Sequence, residues 1–549
     1  MHSNRYFVVL LGVVVLLLGT VTMLWYQQNQ LGERLVLLQG DQRPLMVNKE
    51  VVPTQPANGS LWGAIQARAK DTVVQVFSQI AEIDLLQPYR SPSQGQAFGS
   101  GFFISQEGEL LTNAHVVANA TSVWIQIPSL GKRIVDVTVV GVCPERDIAL
   151  LKLTPESLQL VRSIIGKVPY LNLGDSDAVH RSEELLALGY PLAQHSLKST
   201  TGVVSGRENM GGQAVIQMSA PINPGSSGGP SLNRAGQVIG INTSTAVGAQ
   251  NANYIIPSNE VKIVLDDLRR LKLVRKPFFG VVPLAANAAL TEYLGNPQPG
   301  GVYVVEIFKK SLLEKAGMQT GDMIYEINGY SVDNYGEMSV PWSEDRIAMT
   351  DYISRLKLGQ PVTVVYYRNG KRHEINFTFT LSEQLPIRTI YPEYEAVDYE
   401  IIAGMVIMPL TLNHVIGLQK VVPELAKYLE TKEQLKPALL LTHVFPDSQA
   451  HRSRAIGIGS VITEVNGTPV GTLQELRDAL LSHKADRFMT FKTTNNLFVA
   501  FERERVLLDE LRFSQLYYYP LSQTSQKLLK SSSLKDAVPA EDEHNPEAP

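Results

Sequence analysis

A chain of 549 residues is too long for one hydrophobic core, and at about 150 residues per domain it predicts three or four domains. Hydrophobic residues make up 44% and charged residues 19% of the sequence, which excludes a mainly disordered chain and a protein with many membrane spans. The 49 Lys and Arg residues against 53 Asp and Glu residues leave a net charge of -4, so we expect no nucleic-acid partner.

The N-terminal segment from Tyr6 to Tyr26 contains no charged residue. About 20 apolar residues at 1.5 Å each match a bilayer core of roughly 30 Å, which predicts a transmembrane helix. The alternative is a cleaved signal peptide, but bulky residues rather than small ones follow the apolar run. We therefore predict a signal anchor at residues 1–30 and a linker at 31–60, with the remainder on the non-cytoplasmic side of the membrane.

Many short β-rich runs separated by Gly, Pro, Asn and Asp follow between Trp62 and Tyr254. Their spacing favours an all-β barrel or sandwich over βαβ units, in which helical patterns would separate the strands. A helix is predicted at about 258–274, with Pro257 and Ser258 at its start. Its apolar face would consist of Val261, Val264, Leu265, Leu268 and Leu271. We assign residues 61–275 to this first folded domain.

Two related segments, Gly300–Val332 and Pro437–Val470, indicate an internal duplication of a small α+β module. Each has a strand, a short helix, a second strand and an Asn-Gly turn, at Asn328-Gly329 or Asn466-Gly467. We assign the modules to residues 276–385 and 386–512. A hairpin is predicted within the first, from the runs at 362–367 and 375–381. Residues 513–549 are predicted to end in an acidic tail that is disordered from about Ser522.

Three short segments of the β-rich domain carry the residues of a possible catalytic site. They contain His115 in TNAHVV, Asp147 in RDIALL and Ser227 in NPGSSGGP. A serine hydroxyl needs a base to take its proton, the imidazole needs a carboxylate that fixes its tautomer, and an oxyanion needs backbone N–H donors. A single motif of this kind is usually structural, but the three together in this order indicate nucleophilic catalysis.

The segments resemble those of trypsin-like serine proteases, and specifically the HtrA/Deg family, whose PDZ core is similar to KAGMQTGDMIYEINGYSV. The stretches at 339–356 and 401–411 resemble the Deg proteases of plant organelles and their bacterial relatives. The resemblance implies a mainly β fold: a chymotrypsin-like double β-barrel protease domain, then two α+β PDZ domains. It also implies the site roles: His115 as general base, Asp147 as its orienting partner, Ser227 as nucleophile, and Gly225 with Ser227 as oxyanion hole. Ser226 departs from the family, which usually has Asn there.

Substrate selection is expected at two places. The segment Ser219–Ile222, upstream of Ser227, contains no carboxylate, so we expect small or medium aliphatic P1 residues, with Ile222 and Ile241 as candidate S1 walls. Phe279-Gly280 resembles the loop with which a PDZ domain binds peptide C-termini. In the second module the loop would be at 402–405, where peptide binding, an oligomer contact and a structural cap all remain open.

Taken together, these features predict a membrane-anchored, ATP-independent serine endopeptidase that acts in protein quality control on unfolded or misfolded polypeptides. No cofactor and no metal site are expected, because the sequence has neither a phosphate-binding GxxxxGK[ST] loop nor metal-ligand spacing. The resemblance implies a homo-trimer or a multiple of trimers. A non-catalytic PDZ adaptor is the alternative, and such a protein would be expected to have lost a triad residue or an oxyanion glycine.

Overall fold

The computed structural model describes residues 61–534, apart from 195, 211, 246–251, 277 and 381–383. The predicted anchor, the linker and the acidic end of the chain lie outside these residues. Within the described part of the chain, no helix is both long and apolar enough to cross a membrane.

A closed six-stranded antiparallel barrel follows a short helix, α1 (Leu61–Ala69). Its strands lie in the order β1-β2-β3-β6-β5-β4, and β1 pairs with β2 over ten positions. The strands are β1 (Val73–Glu82), β2 (Ser93–Phe103), β3 (Glu109–Thr112), β4 (Ala120–Gln126), β5 (Val135–Cys143) and β6 (Ile148–Leu153). Helix α2 (Pro155–Ile165) packs on this barrel, and its Val161 side chain is fully buried in the barrel core.

A second closed antiparallel barrel has the strand order β10-β11-β12-β9-β8-β7. The strands are β7 (Glu184–Gly189), β8 (Lys198–Met210), β9 (Gln213–Met218), β10 (Pro230–Leu232), β11 (Val238–Thr245) and β12 (Asn253–Pro257). An apolar cluster joins the two barrels, with Phe102 and Leu150 from the first and Leu188 and Ile241 from the second. The predicted barrel architecture is confirmed, and its interface places the ends of β3, β6 and β11 near one another.

Helix α3 (Ser258–Leu268) packs on both barrels but is shorter than the predicted 258–274. Residues after Leu268 leave the helix because they pair with β5: Val142 N–H donates to Lys272 O and Val274 N–H donates to Val142 O. Leu271, predicted on the buried face, is therefore 40% exposed. Ser258 does not cap the helix, since its hydroxyl donates to Gly174 O instead.

The first α+β module is built on a sheet with the order β13-β14-β15-β19-β20, to which β16 adds beside β15. Its long hairpin turns at Asn369-Gly370, where φ is 49° and 74°, so the predicted hairpin is confirmed. The strands are β13 (Val281–Ala285), β14 (Val302–Ile307), β15 (Met323–Ile327), β16 (Tyr330–Ser331), β17 (Glu337–Met338), β18 (Ile347–Ala348), β19 (Pro361–Arg368) and β20 (Lys371–Thr378). The helices are α4 (Ala288–Tyr293), α5 (Leu312–Lys315) and α6 (Met349–Ser354).

The second module repeats this plan in a sheet of order β21-β22-β23-β24-β26-β27, with β25 beside β24. The strands are β21 (Glu400–Ile402), β22 (Met405–Pro409), β23 (Leu439–Val444), β24 (Val461–Val465), β25 (Thr468–Pro469), β26 (Phe488–Thr493) and β27 (Phe498–Glu502). The helices are α7 (Leu412–Leu418), α8 (Thr431–Gln434), α9 (Gln449–Ser453), α10 (Leu473–Ser482), α11 (Arg503–Tyr517) and α12 (Gln523–Lys530). Both predicted Asn-Gly turns are present, with positive φ at Asn328 and Asn466.

The chain beyond residue 512 belongs to the second module. Helix α11 runs through the expected domain end at 512, and helix α12 buries Leu528 and Leu529 in the same core as β22 and α10. The prediction of disorder from Ser522 is therefore wrong for residues 522–534. The polar composition of this segment led to the wrong prediction, because the short helix is polar on one side while two adjacent leucines pack on its buried side.

Replacing Leu529 by Ala is expected to lower the unfolding free energy of the second module by about 2–5 kcal/mol, because the side chain is fully buried in the core. Lys527→Ala, on the exposed side of the same helix, should have little effect. Urea unfolding followed by circular dichroism measures the difference. Equal stabilities of the two variants would contradict the assignment of α12 to the core.

Candidate active site

His115 and Asp147, which are 32 residues apart in sequence, are in direct contact. His115 lies in a 3-10 turn, Ala114–Val116, directly after β3, and Asp147 follows the turn Pro144–Arg146 before β6. The imidazole Nδ1 lies 2.9 Å from each carboxylate oxygen of Asp147. The backbone N–H of His115 also donates to Oδ1 at 3.0 Å. The aspartate thus fixes both the backbone and the ring of the histidine.

Asp147 is also fixed by its backbone conformation and by two further hydrogen bonds. Its backbone is left-handed, with φ 54° and ψ 43°, a conformation that Asp tolerates better than most residues. The side-chain amide of Asn113 donates to the Asp147 carbonyl at 2.9 Å. From the second barrel, the hydroxyl of Thr243 donates to Oδ2 at 2.8 Å. The carboxylate therefore connects the two barrels at their interface.

The surroundings of His115 favour its protonated form. Burial by itself lowers the imidazole pKa, but the hydrogen bond and the charge of Asp147 outweigh it, so the pKa of His115 is raised above its ordinary value of 6.5. The His115 side chain remains 52% exposed, whereas that of Asp147 is 16% exposed. An imidazole with an open face toward solvent and a partly buried carboxylate behind it can exchange protons with a bound group.

Ser227 lies in the loop between β9 and β10, and its hydroxyl donates to the carbonyl of Thr243 at 2.8 Å. No hydrogen bond joins this hydroxyl to His115 among the described contacts. In this structure the hydroxyl is therefore bonded to Thr243 and not to His115. Catalytic hydrogen bonds that form only when substrate binds are common in enzymes without ligand.

The loop around Ser227 is held by hydrogen bonds to its carbonyl oxygens. Two of its N–H groups have no acceptor among the described residues. The hydroxyl of Ser100 donates to Gly225 O at 2.8 Å, and the N–H of Ser100 donates to Ser227 O at 2.7 Å. The N–H of Leu192 donates to Pro224 O at 2.7 Å. Since C=O and N–H point in opposite directions across a trans peptide, this bond also sets the direction of the Gly225 N–H. The N–H groups of Gly225 and Ser227 have no acceptor among the described residues.

The two glycines after Ser227 are required by close packing. A Cβ on Gly228 would lie 2.0 Å from Ser100 O, and one on Gly229 would lie 2.1 Å from Leu188 O. Gly228 also has φ 87°, a value that side chains rarely allow. These contacts support the sequence-based expectation that larger residues would obstruct the loop.

Ser226 packs away from Ser227, against β7. It is 7% exposed, and a Cβ built on Gly189 would lie 3.2 Å from the Ser226 Cβ. Its backbone closes the turn, because Ser226 N–H donates to Asn223 O and Ser226 O accepts from Gly229 N–H. Ser226 thus lies where the family usually has Asn, at a position that forms its hydrogen bonds through the main chain.

The other predicted site residues lie in separate places. Ile222 is 8% exposed in the core of the second barrel, while Ile241 is fully buried in the cluster between the barrels, so their role as S1 walls stays a prediction. Phe279 is buried in the core of the first module, and Gly280 beside it has φ 86°. They lie directly before β13, an edge strand of its sheet.

Sequence reasoning missed Thr243, Ser100 and Leu192. Ser100 lies 125 residues before Gly225, and Thr243 lies 96 residues after Asp147, so no local pattern reports these contacts. The only signals available were the small residues around Ser100 in GSG and the position of Thr243 on the strand that follows the Ser227 loop. All three residues could be identified only from the fold.

The pKa of His115 is expected to lie above 6.5, with Asp147 as the cause. The Asp147→Asn variant should therefore titrate at a lower pH, because it removes the negative charge that stabilises the imidazolium. Nuclear magnetic resonance of the histidine Cε1–H groups measures both values, and a His115→Gln variant assigns the signal. A midpoint below 6.5, or one unchanged in Asp147→Asn, would contradict the coupling.

Three domain families match the chain: a trypsin-like peptidase domain at residues 99–241, a PDZ domain at 277–378 and another PDZ domain at 391–520. A protein named probable periplasmic serine endoprotease DegP-like, from Marinomonas sp. (strain MWYL1), is 31% identical over 352 residues, covering 61% of this chain and 68% of the relative. A protein of the same name from Pseudomonas putida (strain W619) is 31% identical, covering 55% of this chain and 61% of the relative. A solved structure, the HtrA-type protease AlgW with decapeptide, is 25% identical with a TM-score of 0.46, covering 59% of this chain and 98% of that chain. From its match to the Marinomonas relative and its three domains, the chain belongs to the HtrA/DegP family of trypsin-like serine endoproteases.

Proposed function

We propose that the protein is a membrane-anchored, ATP-independent serine endopeptidase that acts in protein quality control on unfolded or PDZ-selected polypeptides. The observation that carries the proposal is the contact of His115 with Asp147 beside a serine loop whose Gly225 and Ser227 N–H groups lack acceptors. This arrangement offers a base, a tautomer-fixing carboxylate and two candidate oxyanion donors.

In the proposed mechanism, Ser227 Oγ leaves Thr243 O, passes its proton to His115 Nε2 and attacks the scissile carbonyl carbon. The new oxyanion accepts hydrogen bonds from the N–H groups of Gly225 and Ser227. His115 then gives the proton to the leaving amine, and the C–N bond breaks to leave an acyl-enzyme. Water, deprotonated by His115, hydrolyses the ester and restores the serine. Asp147 stabilises the imidazolium in both steps without taking its proton.

Substrate choice is proposed to have two levels. The absence of a carboxylate in Ser219–Ile222 favours aliphatic P1 residues over Arg or Lys. In the first PDZ module, β13 is an edge strand preceded by Phe279-Gly280, and the Gly280 N–H has no acceptor among the described residues. A peptide strand can add to that edge, with its terminal carboxylate at the loop.

The proposed location is the periplasmic face of a membrane. The uncharged segment Tyr6–Tyr26 supports an anchor, and the relatives' name places those proteins in the periplasm. Assembly as a trimer or a multiple of trimers is proposed from the family resemblance.

The Ser227→Ala variant is expected to lose a factor of roughly 10⁴–10⁶ in kcat, as removal of a triad residue does elsewhere. Ser226→Ala is the matched control and should lose little, since the Ser226 side chain packs on β7. Cleavage of a casein-like unfolded substrate by purified protein without residues 1–59 measures both. Comparable losses in the two variants would exclude Ser227 as the nucleophile. If the unmodified protein binds the substrate but does not cleave it, the alternative of a non-catalytic PDZ adaptor is favoured.

The mature protein is expected to retain residues 1–30 and to sediment with membranes, because no small-residue cleavage site follows the apolar run. N-terminal sequencing of protein made in a bacterial host checks this. A protein that lacks residues 1–30 should be recovered in the soluble fraction. A mature start between Tyr26 and Val52 would show instead that the segment is a cleaved signal peptide.

A further inference from the structure

A segment between the sheets of the two PDZ modules packs against the protease domain. Residues 389–395 lie between β20 and β21, in neither a helix nor a strand, and we call them the bridging segment. Within it, the Tyr394 side chain packs against the core cluster of the first barrel, to which Val116 and Val117 belong. The bridging segment therefore contacts the core of the barrel that carries His115.

One contact of the bridging segment is with the turn that follows His115. The N–H of Asn119 donates to Glu393 Oε1 at 2.6 Å. Asn119 has a left-handed backbone with φ 55°, and its carbonyl accepts from the N–H of Ala81 on β1 at 2.8 Å. Because a hydrogen bond to a carboxylate is stronger than one between neutral groups, Glu393 adds a firm contact at this turn. The backbone that leaves His115 is thus held on two sides.

A second contact is with the turn that precedes Asp147. Arg275, which follows helix α3, donates through Nη1 to Glu145 of this turn at 3.0 Å. Through Nη2 it donates to Thr389 O at 3.0 Å and to the Glu395 carboxylate. Only 9% of the Arg275 side chain is exposed. A guanidinium can serve several oxygens at once because its donors are fixed in one plane, so Arg275 ties the turn to the bridging segment.

The bridging segment is itself held in one shape. Glu395 accepts from the Arg388 side chain at 2.7 Å and from the N–H of Tyr391 at 2.9 Å. The side chain of Asn413, on helix α7 of the second PDZ module, exchanges two hydrogen bonds with the backbone of Ile390, at 2.9 and 3.0 Å. The segment can therefore act as a rigid support that extends from the second module to the first barrel.

We propose that the bridging segment positions the His115–Asp147 pair for catalysis. It holds the turn after His115 through Glu393 and the turn before Asp147 through Arg275. From outside the barrel it therefore fixes how the imidazole meets its carboxylate. Glu393 and Arg275 act through the backbone of these turns, as positioning residues. The inference rests on the proposed function, in which the pair activates Ser227.

The Glu393→Ala variant tests the contact with the turn after His115. Its kcat on a casein-like substrate should fall by about tenfold with little change in KM, because a displacement of about 1 Å at a catalytic group can cost roughly 100-fold in rate. Glu393→Gln should keep most of the activity, since its amide oxygen can still accept from the Asn119 N–H. Glu424→Ala, at an exposed acid of the second module, is the control and should be fully active.

Fluorophosphonate labelling of Ser227 on the full chain separates positioning from substrate recognition, because this small reagent reacts with the serine without a bound polypeptide. Glu393→Ala should be labelled about tenfold more slowly than the unmodified protein, while Glu393→Gln and Glu424→Ala should be labelled at the unmodified rate. Arg275→Lys keeps the charge but loses the planar fork that reaches three oxygens, so it should also be labelled more slowly.

Melting temperatures show which variants are folded, and the Glu393 variants decide the test if Arg275→Lys does not fold. A folded Glu393→Ala protein that is labelled at the unmodified rate would overturn the inference. So would a Glu393→Gln protein that is labelled as slowly as the Ala variant, since Gln keeps the acceptor. If the unmodified chain takes no label on Ser227, the proposed function fails, and the inference fails with it.

Discussion

The carboxylate of Asp147 is the contact on which the arrangement of the site depends. It accepts hydrogen bonds from the His115 backbone, lies against the His115 ring and accepts a third bond from Thr243 of the opposite barrel. Charge-assisted bonds of this kind are stronger than neutral ones, and here they cross the interface between the barrels. The same turn reaches further, because the buried side chain of Arg146 donates to Glu260 on α3 and to Ser354 O at the end of α6. One turn therefore links His115, both barrels and the first PDZ module.

The serine loop is organised by a different set of bonds, all to carbonyl oxygens. Ser100 holds the carbonyls of Gly225 and Ser227, while Leu192 holds that of Pro224. The Pro224 carbonyl shares its peptide with the Gly225 N–H, and the Ser226 carbonyl, which accepts from the Gly229 N–H, shares its peptide with the Ser227 N–H. In the proposed mechanism both N–H groups are therefore oriented before an oxyanion develops. In the proposed mechanism, the Ser227 hydroxyl is the part of the site that must still move, from Thr243 O to His115. The proposed mechanism thus combines fixed hydrogen-bond donors with a nucleophile that turns to its base when substrate binds.

The sequence was most informative where function constrains short segments. The TNAHVV, RDIALL and NPGSSGGP motifs located the residues that meet at the barrel interface, and the Asn-Gly turns located the hairpins because few other dipeptides allow two positive φ values. Contacts between distant segments could not be predicted this way. Glu393 is one acid among several in its segment, and only the fold brings it to Asn119. Helix α3 ended early for a similar reason, since the pairing of residues 272–274 with β5 outweighed the local helical pattern.

In the proposed mechanism, Ser227 becomes a nucleophile through the His115–Asp147 pair. The most direct test is covalent labelling of the purified protein with a fluorophosphonate, followed by mass spectrometry of its peptides. One adduct is expected, on Ser227 Oγ, and it should form much more slowly when His115 is replaced by Ala. A label on Ser226, or labelling of Ser227 at the same rate without His115, would contradict it.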